Sequence, residues 1–323
     1  MNPQKESLRR SDLHKVGAYP VASTNSRVAL IAGMRLATHE IATYTETLFE
    51  EITMKRKMIL TFSLLVCLIA SAAAHDLYLK LDSFFLEPNT RAAVRLINGH
   101  FNQSDNPVAR QRMRDVSVIT PSGNRVNPPE SDWRDEKDSS LLSFQTGVEG
   151  TYVAGVSMKP REITMEAAMY NDHLREDGLP DLLAQRRRDK ELDKPARERY
   201  AKNVKTIFQV GKSRAGSFKA ALGYPVEIIP RQNPYELKIG NTLEVLCLKD
   251  GAPIANQFVT AGRELDNRVI DLPGVRANAK GVARIKLAGG GKWFIRFIHV
   301  TKLNEANMDY ESKWAMVTFE VRP

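Results

Sequence analysis

Short apolar runs separated by turn residues dominate the chain from residue 75 onward. Residues 77–81, 84–86, 92–97, 116–119, 141–144 and 151–156 are each rich in Leu, Ile, Val, Phe or Tyr and are bounded by Gly, Pro, Asn or Ser. That punctuation predicts strands rather than helices. About seven of them over 75–160 make a first antiparallel β-sandwich. Between 161 and 210 the pattern changes. Helix formers fill 165–175 and 179–188, and a run of mixed charge from Ala196 to Lys205 follows Pro195. The expectation is a helical insert of three short helices, the last with a solvated charged face. Residues 211–225, rich in Gly, Ser and Lys, read as a linker. Strands resume at 226–230, 243–248, 257–261, 282–287, 292–300 and 314–321, which predicts a second sandwich over 226–323. The expected fold class is therefore mainly β: two antiparallel Ig-like β-sandwich domains with a short helical insert between them.

The segment ahead of residue 75 follows a different logic. Lys55, Arg56 and Lys57 precede an apolar stretch of about a dozen residues and then the small residues Ala70-Ser71-Ala72-Ala73-Ala74, the order of a secretory signal. Such a stretch is shorter than the roughly 20 residues a membrane-spanning helix needs. The expectation is a signal peptide over 54–74, cleaved before His75, with residues 1–53 an N-terminal extension from a wrongly chosen start codon. The exported chain would be periplasmic and without a transmembrane segment. Its 249 residues lower the net charge from +9 to +6, a weak and dispersed balance that argues against nucleic acid as a partner.

Chemistry-bearing motifs are sparse. No Gly-x-Ser-x-Gly elbow, complete Gly-x-x-x-x-Gly-Lys-Ser/Thr phosphate loop or paired-Cys zinc pattern occurs, so an enzyme is not the expectation. Cys67 falls within the signal, which leaves Cys247 as a lone thiol that reads as a small buried hydrophobe. Four histidines follow the signal: His75, His100, His173 and His299. Cleavage before His75 would place a free amine and an imidazole on one residue, a chelating pair for a divalent transition metal. His100 and His299, at strand ends, and Asp76 and Glu311, as carboxylates, complete the expected metal site where the two sandwiches meet. His173, on a charged helix, is expected to be exposed and uninvolved. Trp293 and Trp314 are expected to fill the second core.

Several blocks together resemble a known family. They are Ala74-His75-Asp76-Leu77-Tyr78-Leu79, Asp177-Gly178-Leu179, Asp193 to Lys202, Asn233-Pro234-Tyr235-Glu236-Leu237, Gly240-Asn241-Thr242-Leu243 and Tyr310-Glu311-Ser312-Lys313-Trp314-Ala315. The resemblance is to a bacterial exported family of unknown function described as a nickel-uptake substrate-specific region. It implies a periplasmic accessory protein for nickel- or cobalt-type metal uptake, working beside a metal transporter or an outer-membrane receptor. The metal could be nickel, cobalt, zinc or copper. Two other classes stay open at this point: an envelope β-sandwich module that mediates protein or glycan contacts, and a copper oxidase with an N-terminal histidine brace built from His75 and His100.

Overall fold

The computed structural model describes residues 53–56 and 76–322. Residues 53–56 form a helical turn that belongs to a unit of its own. Apart from that turn, the expected extension, the signal peptide and His75 lie outside the described residues. The main unit contains β1 (Asp76–Lys80), β2 (Arg91–His100), β3 (Met113–Ile119), β4 (Ser140–Gln145), β5 (Gly150–Met158) and β6 (Arg161–Met165). Helices α1 (Ala167–Glu176) and α2 (Pro180–Arg188) follow, then β7 (Ala196–Val210), β8 (Val226–Pro230), β9 (Thr242–Lys249), β10 (Phe258–Leu265) and β11 (Arg268–Arg276). The chain ends in β12 (Val282–Lys286), β13 (Gly291–Glu305) and β14 (Met308–Val321), and a few strands of two or three residues extend the sheets.

The fold is mainly β, as the apolar runs predict, but the chain is not divided at 211–225. A ten-stranded sheet runs β11-β10-β13-β14-β7-β5-β3, with β6 also on β7, and so takes strands from both expected domains. Its central pair, β7 and β14, is parallel, with Glu198 opposite Tyr310 and Thr206 opposite Thr318. A smaller sheet (β1-β2-β4) packs on one face and another (β8-β9, with β12) on the other. Two sandwiches therefore exist as interfaces, but they share their middle layer.

Strand alternation explains how one sheet serves two cores. On β13, β14 and β7, Phe294, Ile298, Trp314, Met316, Val204 and Phe208 point into the core shared with β1 and β2. Their neighbours Trp293, Ile295, Phe297, Val317, Phe319 and Ile207 point into the core shared with β8 and β9. The two tryptophans thus fill different cores, not one.

The expected third helix is the largest local correction. The charged run 196–205 is the first part of β7, and every residue from Ala201 to Val210 is buried. A strand covered on both faces has no solvated side on which to carry charge, so its charged groups are paired. Lys205 donates to Glu227 at 2.8 Å, both side chains being at most 4% exposed, and Arg197 and Arg199 reach Asp309 and Glu305. Periodicity misled here because charged residues mask the alternating Val204, Thr206, Phe208 and Val210.

Candidate functional site

Helix α1 ends where Gly178 adopts φ +73° and Leu179 donates its N–H to the Leu174 carbonyl at 2.9 Å, a left-handed glycine cap. A side chain at Gly178 would also meet the Thr260 methyl and the Phe258 ring. Burial of Tyr170 and Leu174 on the inner side of the helix sets its rotation. The result turns His173 and Asp177, one helical turn apart, toward β1 and β13. His173 Nδ1 lies 2.7 Å from Asp177 Oδ2, and its side chain is 10% exposed. The ring stacks at 6.1 Å on Trp314.

Arg296, from β13, ties this helix to the first strand. Its guanidinium bonds Asp76, reaches Asp177 at 3.4 Å and donates through Nε to Thr260 at 3.1 Å. Tyr78 donates to the same Asp76 oxygen, Oδ2, at 2.6 Å. The other oxygen, Oδ1, is buried and has no hydrogen-bond partner. Behind the helix, Glu198 bonds Ser312, and Lys202 lies 4.6 Å from the Trp314 ring.

These groups border a pocket of about 860 Å³. Five carboxylates line it, from Asp76, Asp172, Glu176, Asp177 and Asp271, along with the imidazoles of His100 and His173 and the single guanidinium of Arg296. The balance favours a cationic occupant. Burial pulls the His173 pKa down, but the hydrogen bond and charge of Asp177 outweigh it and hold the pKa above the usual histidine value. Burial lowers Lys202 to about 8 against the pull of Asp76 and Asp177, and burial raises the carboxyl pKa of Glu198.

Asp76 and His100 therefore share a pocket, as the sequence suggests. His299 and Glu311 do not join them. Both sit on the other face of the central sheet, where His299 Nδ1 meets Gln257 at 3.1 Å and Glu311 pairs with Lys313 at 3.1 Å. Strand alternation separates them: His299 follows the parity of Trp293 and Phe297, whereas Arg296 follows that of Phe294. Burial, then the charges of Lys249 and Lys313, push the His299 pKa down. His173, expected to be exposed, is the imidazole that the pocket holds instead. The sequence carried a signal for it: a His and an Asp four residues apart, directly before a glycine.

Among the described residues, no three His, Cys, Asp or Glu side chains already converge as a metal cluster. No helix among them is long and apolar enough to cross a membrane. A family model described as a domain of unknown function, DUF4198, matches residues 72–301. The chain belongs to that family. No curated protein matches.

Similar solved structures include the D0-D1 domain of intimin, at 12% identity over 76% of this chain and 97% of that one, with a TM-score of 0.19. A tetra-tandem repeat from the extending region of a large adhesion protein is 11% identical over 77% of this chain and 50% of that one, with a TM-score of 0.20. Trypsin-activated alpha-2-macroglobulin from Escherichia coli is 9% identical over 76% of this chain and 16% of that one, with a TM-score of 0.20.

Proposed function

We propose that the protein is a periplasmic accessory that binds a divalent transition metal in the acidic pocket beside β1, in the service of nickel- or cobalt-type uptake. The single observation that carries this reading is the pairing of His173 with Asp177. A metal-ligating histidine characteristically gives its second ring nitrogen to a carboxylate, which fixes the tautomer and aims the other nitrogen at the metal. With Nδ1 held by Asp177, Nε2 is the ligating atom of His173.

The neighbouring groups fit the same purpose. Asp76 has a buried oxygen without a partner, and His75 adjoins it in sequence. His75, Asp76 and His173 would hold the ion, with His100 at the pocket rim as a further donor. Nitrogen ligands joined by one carboxylate suit nickel, copper or zinc. Arg296 opposes a cation, and its role is to hold Asp76 and Asp177 in place. In this proposal His299 and Glu311 are not ligands. The partner would be the transporter or receptor that delivers or accepts the metal.

The test is the metal content of protein recovered from the periplasm with a sequenced N-terminus. The proposal expects a start at His75 and close to one equivalent of nickel, cobalt, copper or zinc. Material that starts at His75 and remains metal-free after equilibration with each ion would contradict it.

A further inference from the structure

A second pocket, on the far side of β1 from the acidic one, has the opposite character. It measures about 180 Å³ and is bordered by Arg112, Lys159, Arg161 and Lys202 together with Asn98 and Tyr200, and among the described residues no carboxylate lines it. Residues on or beside five strands contribute. Arg112 stands just before β3, Lys159 just after β5, Arg161 opens β6 opposite Tyr200 of β7, and Asn98 lies on β2. The backbone pins the cations together, since the Lys159 N–H donates to the Arg112 carbonyl at 2.9 Å.

Nearby cations on the same strands behave differently. Arg197 is neutralised by Asp309, and Arg199 by Glu162 and Glu305. Alternation along β6 sends Glu162 to Arg199 and leaves Arg161 facing the other way. Among the described residues, no ion pair engages Arg112, Lys159 or Arg161. Arg112 and Arg161 line the same pocket; burial, followed by the positive charge of Arg161, lowers the Arg112 pKa, a repulsion that an anion between them would relieve.

We infer that this pocket binds a small oxyanion, a phosphate or carboxylate group, held by Arg112 and Arg161 with Lys159 at its mouth. Guanidinium forks match such oxygens in paired hydrogen bonds. The size agrees, because pockets for drug-sized ligands run to about 300–1,000 Å³, and this one is smaller. The inference does not rest on the metal reading. A free ion and an oxyanion group carried by a small molecule share this chemistry, and phosphate and citrate distinguish them.

The experiment is calorimetric titration of metal-free protein with sodium phosphate and with sodium citrate, at constant ionic strength set by sodium chloride. Metal is removed by dialysis against an uncharged amine, because carboxylate chelators would compete. The expected result is saturable binding of one anion per chain, weakened at least tenfold in Arg112→Gln and in Arg161→Gln and unchanged in Arg199→Gln. Stronger binding of phosphate points to the free ion, and stronger binding of citrate to a carboxylate-bearing molecule. Arg161 is exposed, so Arg161→Gln retains the fold and carries the test if Arg112→Gln does not. Absence of saturable binding by either anion would overturn the inference. So would affinity that is equal in the wild type and Arg161→Gln, or that falls equally in Arg199→Gln.

Discussion

Lys202 and Lys205 are three residues apart on one strand, both buried, and they meet opposite fates. Lys205 faces the core shared with β8 and β9. There it binds Glu227, whose carboxylate also accepts the N–H groups of Leu222, Gly223 and Tyr224. On that face the lysine and its carboxylate are both buried and fully partnered. Lys202 faces the side on which α1, β1 and β13 leave pockets, with Asp76, Asp177, Arg296 and His173 around it. A two-faced sheet can thus assign stability to one surface and chemistry to the other, because alternation decides residue by residue which surface a side chain serves.

The largest test of that division is at Glu227. Glu227→Leu leaves Lys205 buried without its carboxylate, with only the Ala220 carbonyl at 3.4 Å, which costs about 3–5 kcal/mol. Urea denaturation should show it, and the double variant with Lys205→Met should recover most of the loss. Cys247 reports on the same core, since burial alone raises its thiol pKa to about 12. It should resist thiol reagents in the wild type and react in Glu227→Leu. A loss below about 1 kcal/mol would mean that the pair is not held away from water.

Arg186 gives the next effect. It is 1% exposed, lies over the Tyr170 ring at 4.9 Å, and donates to Asn171, Tyr310 and the carbonyls of Glu191 and Lys194. Arg186→Leu removes charged hydrogen bonds worth roughly 1.5–3 kcal/mol each at most and should loosen the helix pair. Limited proteolysis should then cut near Arg187 and Arg188 in the variant and spare the wild type. Equal protection would show that the helices are held by their apolar side alone.

A smaller effect concerns pH. The folded protein raises the His173 pKa, so protonated His173 contributes stability that is complete below about 6.5, the ordinary value, and is lost as pH rises through the folded value. In metal-free protein, the denaturation midpoint of the wild type should fall between pH 5.5 and 8.5 by more than that of His173→Gln. Parallel profiles would remove the Asp177 partnership on which the site depends.

How much of this was legible in the sequence follows from what each side chain reports. The runs at 92–97, 151–156 and 282–287 are strands, because apolar residues between turn formers signal burial locally. The parallel β7–β14 pairing was not legible. It joins residues about a hundred positions apart, and no local pattern encodes a partner. Strand β11 left no trace either, because its half-buried Val269, Leu272 and Val275 are spaced by exposed Arg268, Asp271, Pro273, Gly274 and Arg276 and make no continuous apolar run. Asp76 and His100 could be placed together because β1 and β2 are a local antiparallel pair, with Asp76 opposite Gly99. His299 was misassigned because three residues along β13 separate it from Arg296, and an odd step reverses the face.

The central claim is that the face of the sheet toward β1 and α1 carries the metal site and the face toward β8 and β9 does not. Its most direct test is titration of nickel, copper and zinc into protein that begins at His75, comparing His173→Ala and Asp76→Asn with His299→Ala and Glu311→Ala. The account predicts at least tenfold weaker binding in the first two, the loss expected when a ligand or its orienting partner is removed, and wild-type affinity in the last two. Equal affinity in all five proteins, or loss confined to His299→Ala and Glu311→Ala, would contradict it.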